Sequence, residues 1–451
     1  MIAAAHTDLD ARLRALVRED CVHRDLYVDP ALFAVEQDRL WARTWLYVGH
    51  ESLVPEAGDY HAADLAGRPV LMMRGQDGVV RVLPNRCAHK GAQLVTDPQG
   101  NVGKTLRCPY HGWSYRLDGT LLATPGREGY AGSGFADSDA ARGLRPCASA
   151  SHRGFVFARL SERGPSFHDW AGPMLGVLDN MADRSPAGRL KVAGPPLRVV
   201  VRCNWKVYLE NVNDTVHALV THASASGAAS DVWSRQPAGT EKTIAIEQLL
   251  PFASDYGFFD RMGGRVHAGG HSILGTQHSI HSGYGALAEY EQSLAAAHGA
   301  GRARDVLAFS PQNSIFYPSV AVKTSPLVVR VLRPLSVDRT LVEAWALVPE
   351  EAPALLGERA LSYVRLVFSP MSIVAHDDIH VWESIQRALA HDANPWVSLH
   401  RGWKEPEMAA RDHAPSAPGP FEAGDAADVS GTDERLMRNQ HLAWLRSMTA
   451  N

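Results

Sequence analysis

The chain has 451 residues and a formal net charge of −4; 45% of its residues are hydrophobic and 21% are charged. This balance excludes the strongly basic surface typical of proteins that bind nucleic acids or anionic membranes, and the length predicts two to three domains. No apolar stretch reaches the roughly 18 residues of a membrane span, and the first residues lack the pattern of a signal peptide, so we expect a cytoplasmic protein.

The N-terminal third of the chain changes from helical to β-type patterns. Thr7 or Asp8 can cap a helix that runs to about Arg18, and Asp29-Pro30 combines an N-cap with a proline at the first helical position. From about residue 45 to residue 159, short β runs alternate with Asp-Gly and Pro-Gly turns. We therefore place a β-rich domain at residues 41–160, between two parts of a second domain, 1–40 and 161–451.

Two short segments of the β-rich region, Cys87-Ala88-His89 and Cys108-Pro109-Tyr110-His111, each offer one thiol and one imidazole. Two thiolates on one iron and two neutral imidazoles on the other are the ligands of a Rieske [2Fe–2S] centre. Predicted strands at Arg68–Arg74, Val79–Leu83 and Trp113–Leu117 put each pair near the tip of a β-hairpin. The spacing therefore predicts a one-electron relay.

Other interpretations of these four side chains remain. They can close a tetrahedral zinc site, although zinc fingers usually group the cysteines and the histidines separately. A disulfide between the two cysteines is a further alternative, but five cysteines in the whole chain are an odd and sparse set, typical of a reducing compartment. A pure electron carrier and a zinc-stabilised binding module are thus alternatives to an enzyme.

A second group of polar residues lies in the apolar segment from Trp205 to His222, which we expect to form a buried helix. Asp214 and His217 are three residues apart and would share one helical face. His217 and His222 are five apart, about 140° around an ideal helix, so both can bind one ion only if the helix ends or bulges between them. Buried polar groups are costly unless they are paired or bind a metal.

Two later segments lack usable periodicity, so we expect surface loops at Gly263–Gly285, which contains four histidines, and at Ala414–Gly431. The histidines are either a metal-binding tract or part of a mobile loop over a substrate entrance, and we favour the loop. Between these segments, Asp377 and Asp378 stand at the start of a predicted helix, the first as N-cap and the second in the first turn.

Taken together, these motifs resemble the large (α) subunits of the Rieske non-haem iron oxygenases that hydroxylate aromatic rings. The likeness extends over most of the chain and includes, after the cysteine–histidine pairs, Asn204-Trp205-Lys206, Glu210-Asn211, Asp214, His217, His222, Asp378, Glu383 and Gln386. It implies an α+β protein in which a β-rich Rieske [2Fe–2S] domain is inserted near the N-terminus of a helix-grip-like catalytic domain with an antiparallel sheet.

The resemblance also implies ligands and roles. It assigns the [2Fe–2S] cluster to Cys87, His89, Cys108 and His111, and a mononuclear iron(II) to His217, His222 and Asp378, with Asp377 as the alternative carboxylate. Asn211 and Asp214 are implied to be catalytic, Asp214 by connecting its own His217 to His111 of the partner subunit. That connection requires a closed head-to-tail ring, and we expect α3β3 with a small β subunit, or α3.

The implied activity uses O2 as co-substrate and hydroxylates an aromatic ring. Electrons from NAD(P)H would come from a separate reductase, with or without a ferredoxin, because no Gly-x-Gly-x-x-Gly fingerprint follows a strand here. We expect ring cis-dihydroxylation, with an aromatic carboxylate as one candidate substrate; ring monohydroxylation or oxidative demethylation is the alternative. Position alone suggests as pocket residues Val212, Thr215, Val216, Leu219 and Ile373, for which core packing is the competing interpretation.

Overall fold

A computed structural model describes residues 2–133, 135, 142–281, 288–369, 371–403 and 426–450. The chain forms two compact units. The small unit is Trp41–Trp170, and the large unit combines Met1–Leu40 with Ala171–Asn451. The small unit extends beyond residue 160 because Phe167 packs against Phe157, with ring centroids 5.0 Å apart. None of the described helices is long and apolar enough to cross a membrane.

The first part of the large unit contains three helices and one strand: α1 (Ile2–Ala15), β1 (Cys21–His23), α2 (Asp25–Val28) and α3 (Pro30–Glu36), followed by a π-helical turn at Gln37–Trp41. The predicted cap at Asp29 is confirmed, since its side chain accepts hydrogen bonds from the backbone amides of Ala31 and Leu32 at 2.7 and 3.4 Å. The predicted bounds of the first helix were wrong. It ends before Val17, because Val17 pairs with Val22 in an isolated β-bridge.

The small unit is built almost entirely from short strands. They are β2 (Leu46–His50), β3 (Asp59–Leu65), β4 (Arg68–Arg74), β5 (Val80–Pro84), β6 (Gln99–Asn101), β7 (Leu106–Arg107), β8 (Ser114–Tyr115), β9 (Leu121–Ala123), β10 (Ala148–His152) and β11 (Phe155–Arg159), with α4 (Phe167–Ala171) at its end. The described strands form three antiparallel sheets, ordered β10-β11-β2, β5-β4-β3-β6 and β7-β8-β9. The predicted β-rich domain is therefore confirmed.

The rest of the large unit contains both helices and strands. The helices are α5 (Leu175–Asp183), α6 (Trp205–Val212), α7 (Ala218–Thr221), α8 (Ala223–Ser234), α9 (Ile244–Leu249), α10 (Tyr256–Asp260), α11 (Ala288–His298), α12 (Ala300–Ala308), α13 (Ala354–Phe368), α14 (Ala375–Leu389) and α15 (Arg435–Thr449). The strands are β12 (Leu190–Val192), β13 (Leu197–Val201), β14 (Gly264–Val266), β15 (Ser272–Leu274), β16 (Asn313–Phe316), β17 (Val320–Thr324), β18 (Leu327–Ser336), β19 (Arg339–Pro349), β20 (Trp396–Ser398) and β21 (Ala427–Val429).

Nine of these strands form the antiparallel sheet that the resemblance implied. Its order is β12-β19-β18-β17-β16-β15-β14-β21, with β13 also paired to β19. The central strands β17 to β19 are almost wholly buried, and α13 packs against β19. The α+β architecture is thus confirmed, and one face of this sheet becomes the wall of the site described below.

The histidine-rich segment is not the surface loop that we expected. It contains β14 and β15, and His267 and His271 are 7% and 1% exposed. Their backbone carbonyls accept hydrogen bonds from Asn439 at 2.9 and 3.0 Å. Strands of three residues are too short to show an alternating pattern. Residues 282–285 lie outside the described residues, as does the 414–425 part of the second predicted loop, whose remainder includes β21.

Candidate functional site

The two cysteine–histidine segments fold into nearly identical loops. Each cysteine amide donates to the carbonyl five residues later, Cys87 to Ala92 and Cys108 to Trp113, both at 2.8 Å. Each cysteine carbonyl accepts from a glycine four residues later, at 3.0 and 3.1 Å. Those glycines have φ values of 78° and 71°, which side chains with a Cβ rarely adopt. The same spacing, a glycine four residues after each cysteine, is visible in the sequence.

The four candidate cluster ligands differ in exposure. Cys87 and Cys108 are 2% and 3% exposed and form no disulfide. His89 is half-buried and stacks on Trp113, with ring centroids 4.8 Å apart, and burial lowers its pKa, which favours the neutral imidazole that binds iron. His111 is exposed, with its ring centroid 4.7 Å from that of His89. Two buried thiols and two adjacent imidazoles fit the donor set of a Rieske cluster.

The segment around Asp214 is not helical. Helix α6 ends at Val212, and His217 precedes the single turn of α7. His222, with φ −102° and ψ 15°, lies between α7 and α8 and interrupts the helix. The interruption at His222 meets the condition under which both histidines can bind one ion, whereas the expected shared helical face of Asp214 and His217 was wrong. The two side chains meet across a turn instead, with Nδ1 and Oδ2 3.3 Å apart.

Three side chains converge at this site, two from residues 217–222 and one from helix α14. The Nε2 atoms of His217 and His222 lie 3.6 and 3.3 Å from Oδ1 of Asp378. Among the residues that the structure describes, this is the group whose ligand atoms, within 4.8 Å of one another, can hold a metal. Two imidazoles and one carboxylate are the donors of mononuclear iron sites with open positions. The arrangement therefore fits an iron ion, and the apolar surroundings would limit access of water.

Asp377 contacts the opposite side of the His222 ring. Its Oδ2 lies 3.3 Å from Nδ1 of His222, so it can fix the ring orientation and tautomer while Nε2 stays free for a metal. Asp377 was wrongly predicted as the N-cap of the helix. Helix α14 begins two residues earlier, at Ala375, and Val374 takes the cap position. Both aspartates thus lie in the first turn.

The other two residues implied to be catalytic contact the same group. The amide nitrogen of Asn211 lies 3.5 Å from Oδ1 of Asp378. Burial would raise the pKa of Asp214 and lower that of His217, but their contact outweighs burial in both groups. The net result is a lowered pKa for Asp214 and a raised pKa for His217, which means that the carboxylate stays ionised.

The remaining motif residues hold the site in place. Asn204 caps α6, and its backbone amide donates to Gln386 of α14 at 2.8 Å. Lys206 is buried in an ion pair with Glu36, and Glu383 of α14 pairs with Arg202 at 2.9 Å. The contacts with Gln386 and Glu383 bind the segment before His217 to the helix that contains Asp378, and the ion pair with Glu36 binds α6 to α3. They explain the crowding of polar groups that the sequence shows.

A cavity with an empty volume of about 930 Å³, including its open mouth, adjoins the three converging side chains. Of the predicted pocket residues, Val212 and Thr215 line it, as does Asn211. Val216, Leu219 and Ile373 do not; the last two pack against the hydrophobic core instead. For both residues the structure therefore shows core packing, which was the competing interpretation.

Several cavity residues were not predicted from the sequence. They include Tyr208, Phe252, Lys323, Arg330 and Trp382. Phe252 stacks on His222, with ring centroids 5.0 Å apart. Lys323 and Arg330 had a visible signal, since Lys323 directly follows the apolar Val320–Val322 and Arg330 interrupts the apolar 327–332 stretch.

Comparisons with known proteins agree with this geometry. Residues 44–132 match the Rieske [2Fe-2S] domain, and residues 185–450 match the ring hydroxylating alpha subunit (catalytic domain). The chain is 28% identical to toluate 1,2-dioxygenase subunit alpha of Pseudomonas putida, over 99% of this chain and 96% of that protein. It is 28% identical to the N,N-dimethyl phenylurea N-demethylase subunit alpha of Sphingobium sp. (strain YBL2), over 92% and 91%.

A third relative is the large oxygenase component of the naphthalene 1,2-dioxygenase system of Pseudomonas putida, 30% identical over 78% of this chain and 76% of the relative. Among solved structures, naphthalene 1,2-dioxygenase with bound indole has the same fold, with a TM-score of 0.76 at 24% identity and coverage of 96% and 94%. The family implies a Rieske cluster and a mononuclear iron. The chain is an oxidoreductase that belongs to the family of ring-hydroxylating oxygenase alpha subunits, with a Rieske domain followed by the catalytic domain.

Proposed function

We propose that this chain is the terminal oxygenase component that cis-dihydroxylates an aromatic ring. The observation that carries the proposal is the convergence of His217, His222 and Asp378 on the wall of a mostly apolar cavity. When bound, the iron supplies activation of dioxygen and the cluster supplies single electrons. The overall reaction balances, because O2 takes up four electrons, two from the arene and two from NAD(P)H, and both oxygen atoms enter the product.

His217 and His222 would hold the iron through Nε2, and Asp378 through a carboxylate oxygen. Asp378 is preferred over Asp377 because both Nε2 atoms lie near its Oδ1, whereas Asp377 contacts the opposite nitrogen of His222. Asp377 thereby fixes one imidazole, and Asp214 fixes the other. Asn211 restrains the Asp378 carboxylate from the side of α6.

The aromatic part of a substrate would bind against the apolar cavity wall. Phe252 covers His222 on one side, and Trp382 of α14 stacks edge-on with Tyr208 at 5.0 Å. Side chains of this kind exclude water and bind a planar ring by area rather than by hydrogen bonds. The substrate is thereby held beside the three candidate iron ligands.

Electrons would reach this site from the cluster of a neighbouring subunit. Asp214 and His217 line a second depression on the large unit, whose surface includes the exposed apolar side chains of Val381 and Ile385. On the small unit, His111 is exposed and Tyr110 beside it is 66% exposed. Docking of one surface on the other in a closed ring would place Asp214 between its own His217 and His111 of the partner subunit.

We therefore propose an α3 ring, with small β subunits giving α3β3. NAD(P)H would be oxidised by a separate reductase, which passes electrons to the exposed side of the cluster directly or through a ferredoxin. The depression around Asp214 supports the ring, because exposed apolar side chains beside the half-buried pair of Asp214 and His217 are typical of a surface that another subunit covers.

One experiment tests the proposal. The full-length protein would be purified anaerobically, its iron and acid-labile sulfide measured, and its reduced form recorded by electron paramagnetic resonance before O2 and a panel of aromatic compounds are added. We expect a Rieske signal, additional mononuclear iron, and a cis-dihydrodiol that carries both atoms of 18O2. A phenol with one 18O atom, or formaldehyde from an N-methyl substrate, would assign the chain to the monooxygenase alternative. A well-loaded protein without a Rieske signal would refute the proposal.

A further inference from the structure

One face of the nine-stranded sheet lines the cavity. Side chains alternate between the two faces of a strand, and the register places the following residues on the cavity face: Leu197, Val199 and Val201 of β13, Val342 and Ala344 of β19, Arg330 of β18, Lys323 of β17 and Asn313 of β16. The part of this face formed by β13 and β19 is apolar, and the part formed by β18 and β17 contributes the basic side chains of Arg330 and Lys323. Lys323 and Arg330 are 1% and 6% exposed, so both charges are buried.

Neither cation has a carboxylate partner among the described residues. The ammonium group of Lys323 donates to the backbone carbonyl of Gln312. Arg330 donates through one terminal nitrogen to Oδ1 of Asn313 at 2.5 Å, and its guanidinium faces Tyr208. Its Nε has no hydrogen-bond partner within the part of the chain that the structure describes. An ionised group that is buried without a counter-ion is energetically costly.

The opposite face of the same sheet shows the usual solution. Arg198 of β13 and Arg333 of β18 share the carboxylate of Glu343 on β19, at 2.8 and 2.9 Å. On this face, the two arginines are therefore neutralised by a shared carboxylate. Even Arg184, a buried arginine that forms no ion pair with a described carboxylate, donates to four different acceptors at 2.9 to 3.2 Å.

We propose that Lys323 and Arg330 bind the carboxylate of an aromatic acid, so that the substrate of this enzyme is an anion. This inference rests on the proposed function for the statement that the cavity binds the substrate. A planar carboxylate presents two oxygens, which match one ammonium and one guanidinium edge. Burial and the neighbouring Arg330 hold the pKa of Lys323 well below its usual range, and an anion would reverse that shift.

The charges of the cavity also orient such a substrate. The acidic residues that line it, Asp214 and Asp378, contact the two histidines of the candidate iron site. A carboxylate held by Lys323 and Arg330 leaves the aromatic ring of the substrate free to lie towards the histidines. A cationic substrate would meet two buried basic side chains here instead of an anionic partner.

Binding without turnover tests the inference. The full-length, metal-loaded protein in its oxidised state would be titrated by calorimetry with matched pairs of aromatic probes, benzoate against nitrobenzene and 1-naphthoate against 1-nitronaphthalene. Each pair has nearly the same shape but only one member is charged. We expect the anion of at least one pair to bind about tenfold or more tightly than its neutral counterpart.

Three variants assign that preference to residues. Lys323→Met and Arg330→Gln should each weaken binding of the anion about tenfold or more and leave the neutral probe within about twofold. Arg198→Met is the matched control, because it removes a cation from the opposite face of the same sheet, and it should leave both affinities unchanged. Circular dichroism and the cluster absorbance would confirm that each variant is folded and loaded.

Equal or tighter binding of the neutral member in both pairs of the wild-type protein would overturn the inference, whatever the variants do. So would variants that lose both members of a pair equally while staying folded. A bound aromatic acid that yields no oxygenated product after reduction and addition of O2 would instead refute the proposed function. Hydroxylation of neutral arenes by a protein that does not bind the acids would refute only the inference.

Discussion

The two candidate metal sites differ in how far their ligands are exposed to solvent. In the small unit the thiols of Cys87 and Cys108 are buried, and the imidazole of His111 is exposed. In the large unit the imidazole of His222 and the carboxylate of Asp378 are 1% and 10% exposed. Both sites use two histidines, so the difference does not come from ligand type.

The contrast reflects what each site must exchange. An electron can leave through an exposed imidazole edge, whereas a site that activates dioxygen must exclude water and other reductants. The two sites also differ in how far apart their ligands lie in the sequence. Each loop of the cluster site supplies both of its ligands within four residues, but the ligands of the iron site come from two segments more than 150 residues apart, His217 and His222 with Asp378. The iron site therefore depends on tertiary packing, and the cluster site on two local turns.

Asp378→Ala should have the largest effect and should separate the two sites. We expect loss of mononuclear iron and a fall in product formation to background, because the two histidines alone give an incomplete ligand set. The Rieske signal of the reduced protein should be unchanged. Iron analysis and electron paramagnetic resonance measure both results. Asp392→Ala, at an exposed aspartate just after the same helix, is the control; iron retained in Asp378→Ala would contradict the assignment.

Asp214→Asn should leave both sites loaded and disconnect them. The carboxylate contacts His217 and lies in the surface depression, so we expect reoxidation of the reduced cluster by O2 and substrate to slow by at least roughly 10- to 100-fold. Stopped-flow absorbance of the cluster would measure this rate, with iron content as the check on loading. Unchanged reoxidation would show that electrons take a route that does not pass Asp214.

Asp377→Asn should have a smaller effect that is confined to the iron site. The amide would hold His222 less firmly through Nδ1, and we expect iron affinity to fall about 10- to 100-fold. Turnover should recover when iron(II) is added in excess, in contrast to Asp378→Ala. A variant that cannot be restored by iron would mean that Asp377, rather than Asp378, is the ligand.

The candidate cluster site could be proposed from the sequence because its information is local. The ligand pairs, the strand at Arg68–Arg74 and the turns are all specified within a few residues. The iron site was harder to predict. The break before His222 followed from helix geometry, but the turn at Asp214 did not, because the apolar pattern of the segment continues through it.

The cavity could be predicted least of all from the sequence. Leu219 and Ile373 are near the ligands in the chain, yet they pack into the core, whereas Lys323 and Arg330 are distant in the chain and line the cavity. Only the strand register brings these cations to one face, since Arg330 is opposite Ala321 and Lys323 is opposite Val328. A basic residue inside an apolar strand was a visible signal of a buried charge, but not of its location.

Tyr115→Phe should have the smallest effect and should alter only the buried side of the cluster site. The hydroxyl lies 3.1 Å from the sulfur of Cys87 and accepts a hydrogen bond from the amide of Ala88. Burial and the contact with Cys87 raise the pKa of Tyr115, so the hydroxyl keeps its proton and can donate it to a thiolate. Such a bond stabilises the reduced, more negative cluster. We expect Tyr115→Phe to lower the reduction potential by tens of millivolts in a redox titration, with iron affinity of the large unit unchanged; a higher potential would show that the hydroxyl does not donate to the sulfur.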